Sequence, residues 1–185
     1  MRFSSPPNAD GRRKGRRQLL KLAAGWVTLG TLGVAACDRD SPARGAPFPA
    51  FTLPDLAGAS HDSREYAGKP LLVNFWATWC PPCRAEMADL EALQQQLGAR
   101  GLQVLAISVD DDANLVQEYV RQQALALTVL VDAKQRWFGP LLRIPGLPST
   151  FLVGSDGLIR EAWLGPRAWA DPAMQAELAT RAGLR

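Results

Sequence analysis

Cysteine and histidine are scarce in this chain: among 185 residues there are three Cys (Cys37, Cys80 and Cys83) and one His (His61). A structural zinc site needs four such ligands, and the chain offers no second cysteine pair, so no metal is expected. A c-type haem attachment needs His directly after the second Cys of a C-x-x-C. Arg84 stands there, so no cofactor is expected either. If Cys37 serves elsewhere, no cysteine remains for a separate structural disulfide. A basic excess is also missing from most of the chain. The net charge of +3 arises in residues 1–37, which hold seven Lys/Arg and one acid; from Asp38 onward 14 Lys/Arg face 17 Asp/Glu. A mildly acidic folded part argues against nucleic acid as a partner.

What the first residues do contain is the layout of an export signal. Arg12-Arg13-Lys14-Gly15-Arg16-Arg17 precedes an apolar, small-residue run from Leu22 to Ala36, which is a charged n-region followed by an h-region. That run is about 15 residues long, shorter than the roughly 20 of a simple membrane span. Arg16-Arg17-Gln18-Leu19-Leu20-Lys21 resembles the twin-arginine export motif, although paired arginines also occur in ordinary secretory signals. Val34-Ala35-Ala36-Cys37 resembles a bacterial lipobox, which implies a diacylated Cys37 at the head of the processed chain. Two or more acyl chains give stable anchoring where one does not. The expected organisation is therefore a signal peptide at 1–36, a lipid-anchored linker at 37–50 and a folded domain at 51–185. The domain would sit on the outer, periplasmic side of the cytoplasmic membrane. Pro and Gly punctuate residues 38–50, which have no apolar period. Extended, they would hold the domain some ~40 Å off the bilayer.

Beyond the linker, strand and helix patterns alternate. A hairpin is expected around Gly58, and a strand buried on both faces at Leu71–Trp76. A helix from Pro81 to Leu97 closes at Gly98. A strand at 102–108, a helix at 113–123, a short strand at 128–131 and a partial helix at 134–142 follow. Strands at 150–153 and 158–163 flank Gly154-Ser155-Asp156-Gly157 as an antiparallel hairpin, and a helix at 171–181 ends the domain. This is an α/β fold with a mixed central sheet. The C-x-x-C falls where the first central strand gives way to its helix, the usual site of chemistry in such sheets.

That placement makes Cys80 a candidate nucleophile. It stands at or beside the helix N-cap with Pro81 at the first helical position, where free backbone N–H groups and the helix dipole stabilise a thiolate. Cys83, one turn inward, can resolve a mixed disulfide formed at Cys80. A permanent staple across so small a loop would remove little chain entropy. At 100° per residue, Glu86 lies at about −60° from Cys83, between Leu90 at about −20° and Leu93 at about −80°. It is either a buried acid–base group of raised pKa or a stripe-edge carboxylate that reaches out to a cation such as Arg84. Trp76 and Trp79 either flank the reactive edge or pack against the strand.

Three segments together resemble the TlpA/ResA branch of thioredoxin-like proteins: Phe51-Thr52-Leu53-Pro54-Asp55, the run from Val73 through Cys80-Pro81-Pro82-Cys83 to Glu86, and Gly146-Leu147-Pro148-Ser149-Thr150 to Val153. The resemblance implies a thioredoxin fold with an N-terminal strand extension, a nucleophilic Cys80 and a resolving Cys83. It also implies a cis-Pro148 offering backbone to substrate beside Leu147 and Trp79, and matches Glu86 to the family's active-site glutamate. Family members of this kind reduce apocytochrome c or copper-site cysteines, so the implied partners are client proteins with disulfides and a membrane thiol donor that re-reduces the pair. One departure is Ala88, where relatives often carry proline, so a straighter helix is expected. The alternatives are an oxidase or isomerase of the same fold, a peroxidase, and a non-catalytic metal-delivery module. Thr78 stands two rather than three residues before Cys80, which weakens the peroxidase, and His61 lies far upstream, which weakens the metal module.

Overall fold

A computed structural model of the chain describes residues 44–136 and 139–184. The expected signal peptide and Cys37 lie outside the described residues. No helix among them is long and apolar enough to cross a membrane.

The first central strand organises the rest. Leu71–Trp76 (β3) is buried at all six positions, as its continuous apolar run demands of a strand covered on both faces. The chain reaches it through β1 (Thr52–Pro54) and β2 (Ser60–Asp62), an antiparallel hairpin. After it come α1 (Pro81–Leu97), β4 (Gln103–Ser108), α2 (Ala113–Gln122) and β5 (Thr128–Val131). Then follow β6 (Ser149–Val153), β7 (Ile159–Leu164) and α3 (Pro172–Ala182). The five-stranded sheet has the order β5-β4-β3-β6-β7, with β4 parallel to β3 and to β5, and β6 antiparallel to β3 and to β7. This is the thioredoxin fold, with the expected mixed central sheet.

The helices start where short polar side chains can satisfy free N–H groups. Asp112 caps α2 and Asp171 caps α3, whereas α1 is capped by the sulfur of Cys80. The stripe expected on α1 is buried as a unit: Cys83, Glu86, Met87, Leu90, Leu93 and Leu97. With Ala88 in place of proline, α1 runs unbroken over its 17 residues.

The partial helix expected at 134–142 is not formed. The described residues there are turns and bends. Gln135, Gly139 and Arg143 take left-handed backbone conformations with φ of 47°, 69° and 49°, each of which ends a right-handed helix, and Pro140 supplies no N–H.

Both sheet edges are covered. On β5, Asp55 forms an isolated antiparallel bridge to Leu130. On β7, the segment expected to be free linker is docked from Arg44 onward. Gly45 N–H donates to the Ile159 carbonyl at 2.8 Å, Ile159 N–H to Ala46 at 2.9 Å, and Phe48 N–H to Gly157 at 2.9 Å. The Arg44 guanidinium donates to Glu161 Oε1 at 2.6 and 3.0 Å. Glu161 also accepts from Arg181, which reaches Glu177 at 2.8 Å. An unpaired edge is a template for unwanted strand addition, and here the chain's own N-terminal segment occupies it. Residues from Arg44 onward therefore do not add to the reach expected of the linker.

Replacing Glu161 with Ala should free this segment. Amide hydrogen exchange at Gly45, Phe48 and Ile159 should quicken about tenfold or more while Val73 and Leu105 hold. Equal acceleration everywhere would mean the docked segment is not a separate unit.

Candidate active site

Strand β3 ends at Trp76 and the chain turns through Ala77–Trp79, with Cys80 N–H donating to the Ala77 carbonyl at 3.2 Å. The turn delivers Cys80 to the start of α1 with extended backbone (φ −98°, ψ 101°). Cys80 and Cys83 are joined as a disulfide, their Cα atoms 5.3 Å apart. The Cys83 backbone N–H donates to the Cys80 sulfur at 3.3 Å. That is the bond an N-cap oxygen normally accepts. A thiolate released at Cys80 would keep this donor and gain the dipole of the helix, both of which favour the anion.

Both cysteines are buried, Cys83 0% and Cys80 5% exposed, while Trp79 beside them is 64% exposed. Trp76 is wholly buried against the Tyr119 ring, centroids 5.3 Å apart, so of the two tryptophans only Trp79 is exposed. The Leu147–Pro148 bond is cis. Phe75 pairs with Ser149, so Pro148 falls beside the end of β3 where the reactive turn begins. Its carbonyl is taken by Gly165 N–H at 2.8 Å, and Leu147 is half-buried next to it.

Glu86 is 3% exposed and points into the protein, not outward to Arg84. Its Oε1 accepts from the Asn74 side-chain amide at 2.8 Å; its Oε2 accepts from the Trp169 indole at 3.0 Å and the Arg167 backbone N–H at 3.1 Å. Asn74 also donates to Thr150 Oγ1 at 2.9 Å. Burial pushes the Glu86 carboxyl above its ordinary range, against the opposing pull of Arg167 N–H, Asn74 and Trp169. Sequence reasoning missed these partners. Asn74 carried a signal, as the one polar residue in the run Leu71–Trp76, because a polar group on a doubly buried strand needs a partner. Arg167 and Trp169 carried none, since they come from the loop after β7.

His61, the residue weighed for metal delivery, is held in the β1–β2 hairpin by Asp55 at 3.3 Å and Tyr66 at 3.2 Å. Among the described residues no group of three or more His, Cys, Asp or Glu is arranged to hold a metal.

A carboxyl whose pKa is raised by folding stabilises the fold while protonated and loses that contribution as pH rises through the folded value. Glu86→Gln should therefore gain stability over the parent protein at neutral pH, with the difference vanishing below the ordinary value of 4.5. Urea denaturation at the two pH values measures it; a difference independent of pH would show that the charge of Glu86 is not what burial penalises.

Comparison with known proteins agrees with this geometry. Residues 44–162 match the AhpC/TSA family. The thiol-disulfide oxidoreductase ResA of Bacillus thuringiensis (strain Al Hakam) is 30% identical over 157 residues, covering 82% of this chain and 90% of that protein. A solved thiol:disulfide interchange protein of the thioredoxin family from Chlorobium tepidum TLS is 30% identical, with a TM-score of 0.63 over 75% of this chain and 99% of the other. A secreted Mycobacterium tuberculosis disulfide oxidoreductase, homologous to E. coli DsbE, is 29% identical, with a TM-score of 0.58 over 72% and 94%. The chain therefore belongs to the AhpC/TSA family of thioredoxin-like proteins, as a thiol-disulfide oxidoreductase of the ResA type.

Proposed function

We propose that the protein is a lipid-anchored disulfide reductase of the cell envelope, in which Cys80 attacks, Cys83 resolves and Glu86 handles the proton. The observation that carries this is the Cys80 sulfur at the N-cap of α1, accepting a helix N–H, with Cys83 sealed behind it. In the reduced protein the Cys80 thiolate attacks one sulfur of a client disulfide. A mixed disulfide forms, and the other client sulfur leaves as a thiolate and takes a proton from solvent. Cys83 then gives its proton to Glu86 and attacks the Cys80 sulfur, so the client departs with both cysteines reduced. Two electrons have passed from the pair to the client, and a membrane thiol donor restores the dithiol. Glu86 suits this role because its carboxyl is buried on the Cys83 face of α1 with a raised pKa.

Trp79 and the Leu147–Pro148 segment form the substrate contact in this reading, and the clients are proteins whose cysteines must be free before a haem or copper is inserted. The peroxidase alternative loses support because the Thr78 hydroxyl is committed to Asp110 at 2.6 Å. Anchoring at Cys37 and a location outside the cytoplasmic membrane rest on the sequence pattern of residues 12–37.

Cys83→Ser should trap mixed disulfides with client proteins on non-reducing gels, and Cys80→Ser should not; equal trapping by both would overturn the assignment of roles. A strongly oxidising equilibrium with glutathione would reverse the proposed direction. Cys37→Ser should move the protein from the membrane fraction to the soluble fraction, and an unchanged distribution would remove the lipid anchor.

A further inference from the structure

A buried acid beside the reactive turn lies outside the chemistry described so far. Asp110, two residues beyond β4, is 2% exposed. Its Oδ1 accepts from the Thr78 hydroxyl at 2.6 Å, and its Oδ2 from the Thr78 backbone N–H at 2.9 Å and the Ser108 hydroxyl at 2.7 Å. Asp110 N–H donates back to Ser108 Oγ at 3.1 Å, and Val109 N–H joins the two strand ends by donating to Trp76 at 2.9 Å. Thr78 is the middle of the turn that presents Cys80.

We propose that Asp110 is a positioning residue that also sets the redox poise of the Cys80–Cys83 pair: it holds both donors of Thr78, and places a buried carboxylate behind the turn that carries Cys80. This rests on the reading of that pair as the redox centre. Two residues span at most about 7 Å, so the carboxylate lies within about 10 Å of the Cys80 backbone. The disulfide is neutral, whereas reduction creates a thiolate at the helix start. A buried anion at that range disfavours the thiolate and opposes the pull of the helix N-terminus. The oxidised pair gains relative to the dithiol, which makes the dithiol a better electron donor. Other charged groups on the surrounding elements are Arg84 and Glu86 on α1, Asp111 and Asp112 leading into α2, and Arg167 after β7. Tyr119 on α2 donates its hydroxyl to the Arg84 carbonyl. Asp110 is bonded to the turn itself.

The test uses the full-length protein in detergent and two measurements. One is the pH profile of Cys80 alkylation in the reduced protein. The other is the equilibrium in which two glutathione thiols reduce the pair, giving dithiol and oxidised glutathione. Asp110→Asn should move the alkylation midpoint about one pH unit lower and the equilibrium about tenfold toward dithiol. Ser108→Ala, which keeps the charge and both Thr78 bonds, should move neither. Asp110→Ser also removes the charge, its shorter side chain falling one bond short of Thr78, and must shift both in the same direction as Asn. Unchanged profiles in the Asp110 variants, even with a lower melting temperature, would overturn the proposal, as would an equal shift in Ser108→Ala. If instead the parent pair does not exchange with glutathione at all, the assignment of the redox centre falls.

Discussion

The free N–H of Cys83 at the start of α1 is the constraint around which the site is built. An α-helix cannot satisfy its own first donors, and this one meets the chain at the end of a strand with no exposed face. Asp112 and Asp171 settle the same problem at α2 and α3 with side-chain oxygens. At α1 the acceptor is sulfur, a weaker partner when neutral and a much better one when charged. The helix start therefore rewards the state that thiol chemistry needs, and Pro81 and Pro82, which have no N–H, reduce the number of donors left waiting.

Behind that junction two carboxylates are buried by opposite means. Glu86 collects three donors from two separate places, Asn74 on β3 and both Arg167 and Trp169 after β7. A hydrogen bond to a charged group contributes roughly 1.5–3 kcal/mol, while removing an ion from water costs several kcal/mol. The upward shift at Glu86 means that desolvation wins there. Asp110 draws on neighbours only, Thr78 across the strand ends and Ser108 two residues back. One acid thus reports on tertiary closure of the β7–α3 loop and the other on the local join of β3 and β4.

Much of this could be read from the chain because the informative patterns are local. The run Leu71–Trp76 suited a doubly buried strand, Pro81 marked the start of α1, and 100° spacing put Glu86 within the apolar stripe while leaving open whether its carboxylate turned inward or out to a cation. The 134–142 segment misled because its apolar residues fit a helix while left-handed residues at Gln135, Gly139 and Arg143 do not; backbone sign of that kind leaves no trace in side-chain periodicity. Trp169 and Arg167 were invisible for a different reason. Their contact with Glu86 spans more than 80 positions, and nothing in the spacing of a loop says which buried acid it will cover.

The docked stretch from Arg44 to Phe48 has a mechanical consequence. Any pull delivered from residues ahead of Arg44 meets the arginine–Glu161 pair and the backbone bonds to Gly157 and Ile159 before it reaches the sheet. Those fastenings lie on β7 and the turn leading into it, and β6 stands between β7 and β3. Force would peel the edge first, leaving the turn at Ala77–Cys80 off the load path. A load applied ahead of Arg44 would be spent at this edge, as in the strain relief of a cable, before it could disturb the sulfur pair.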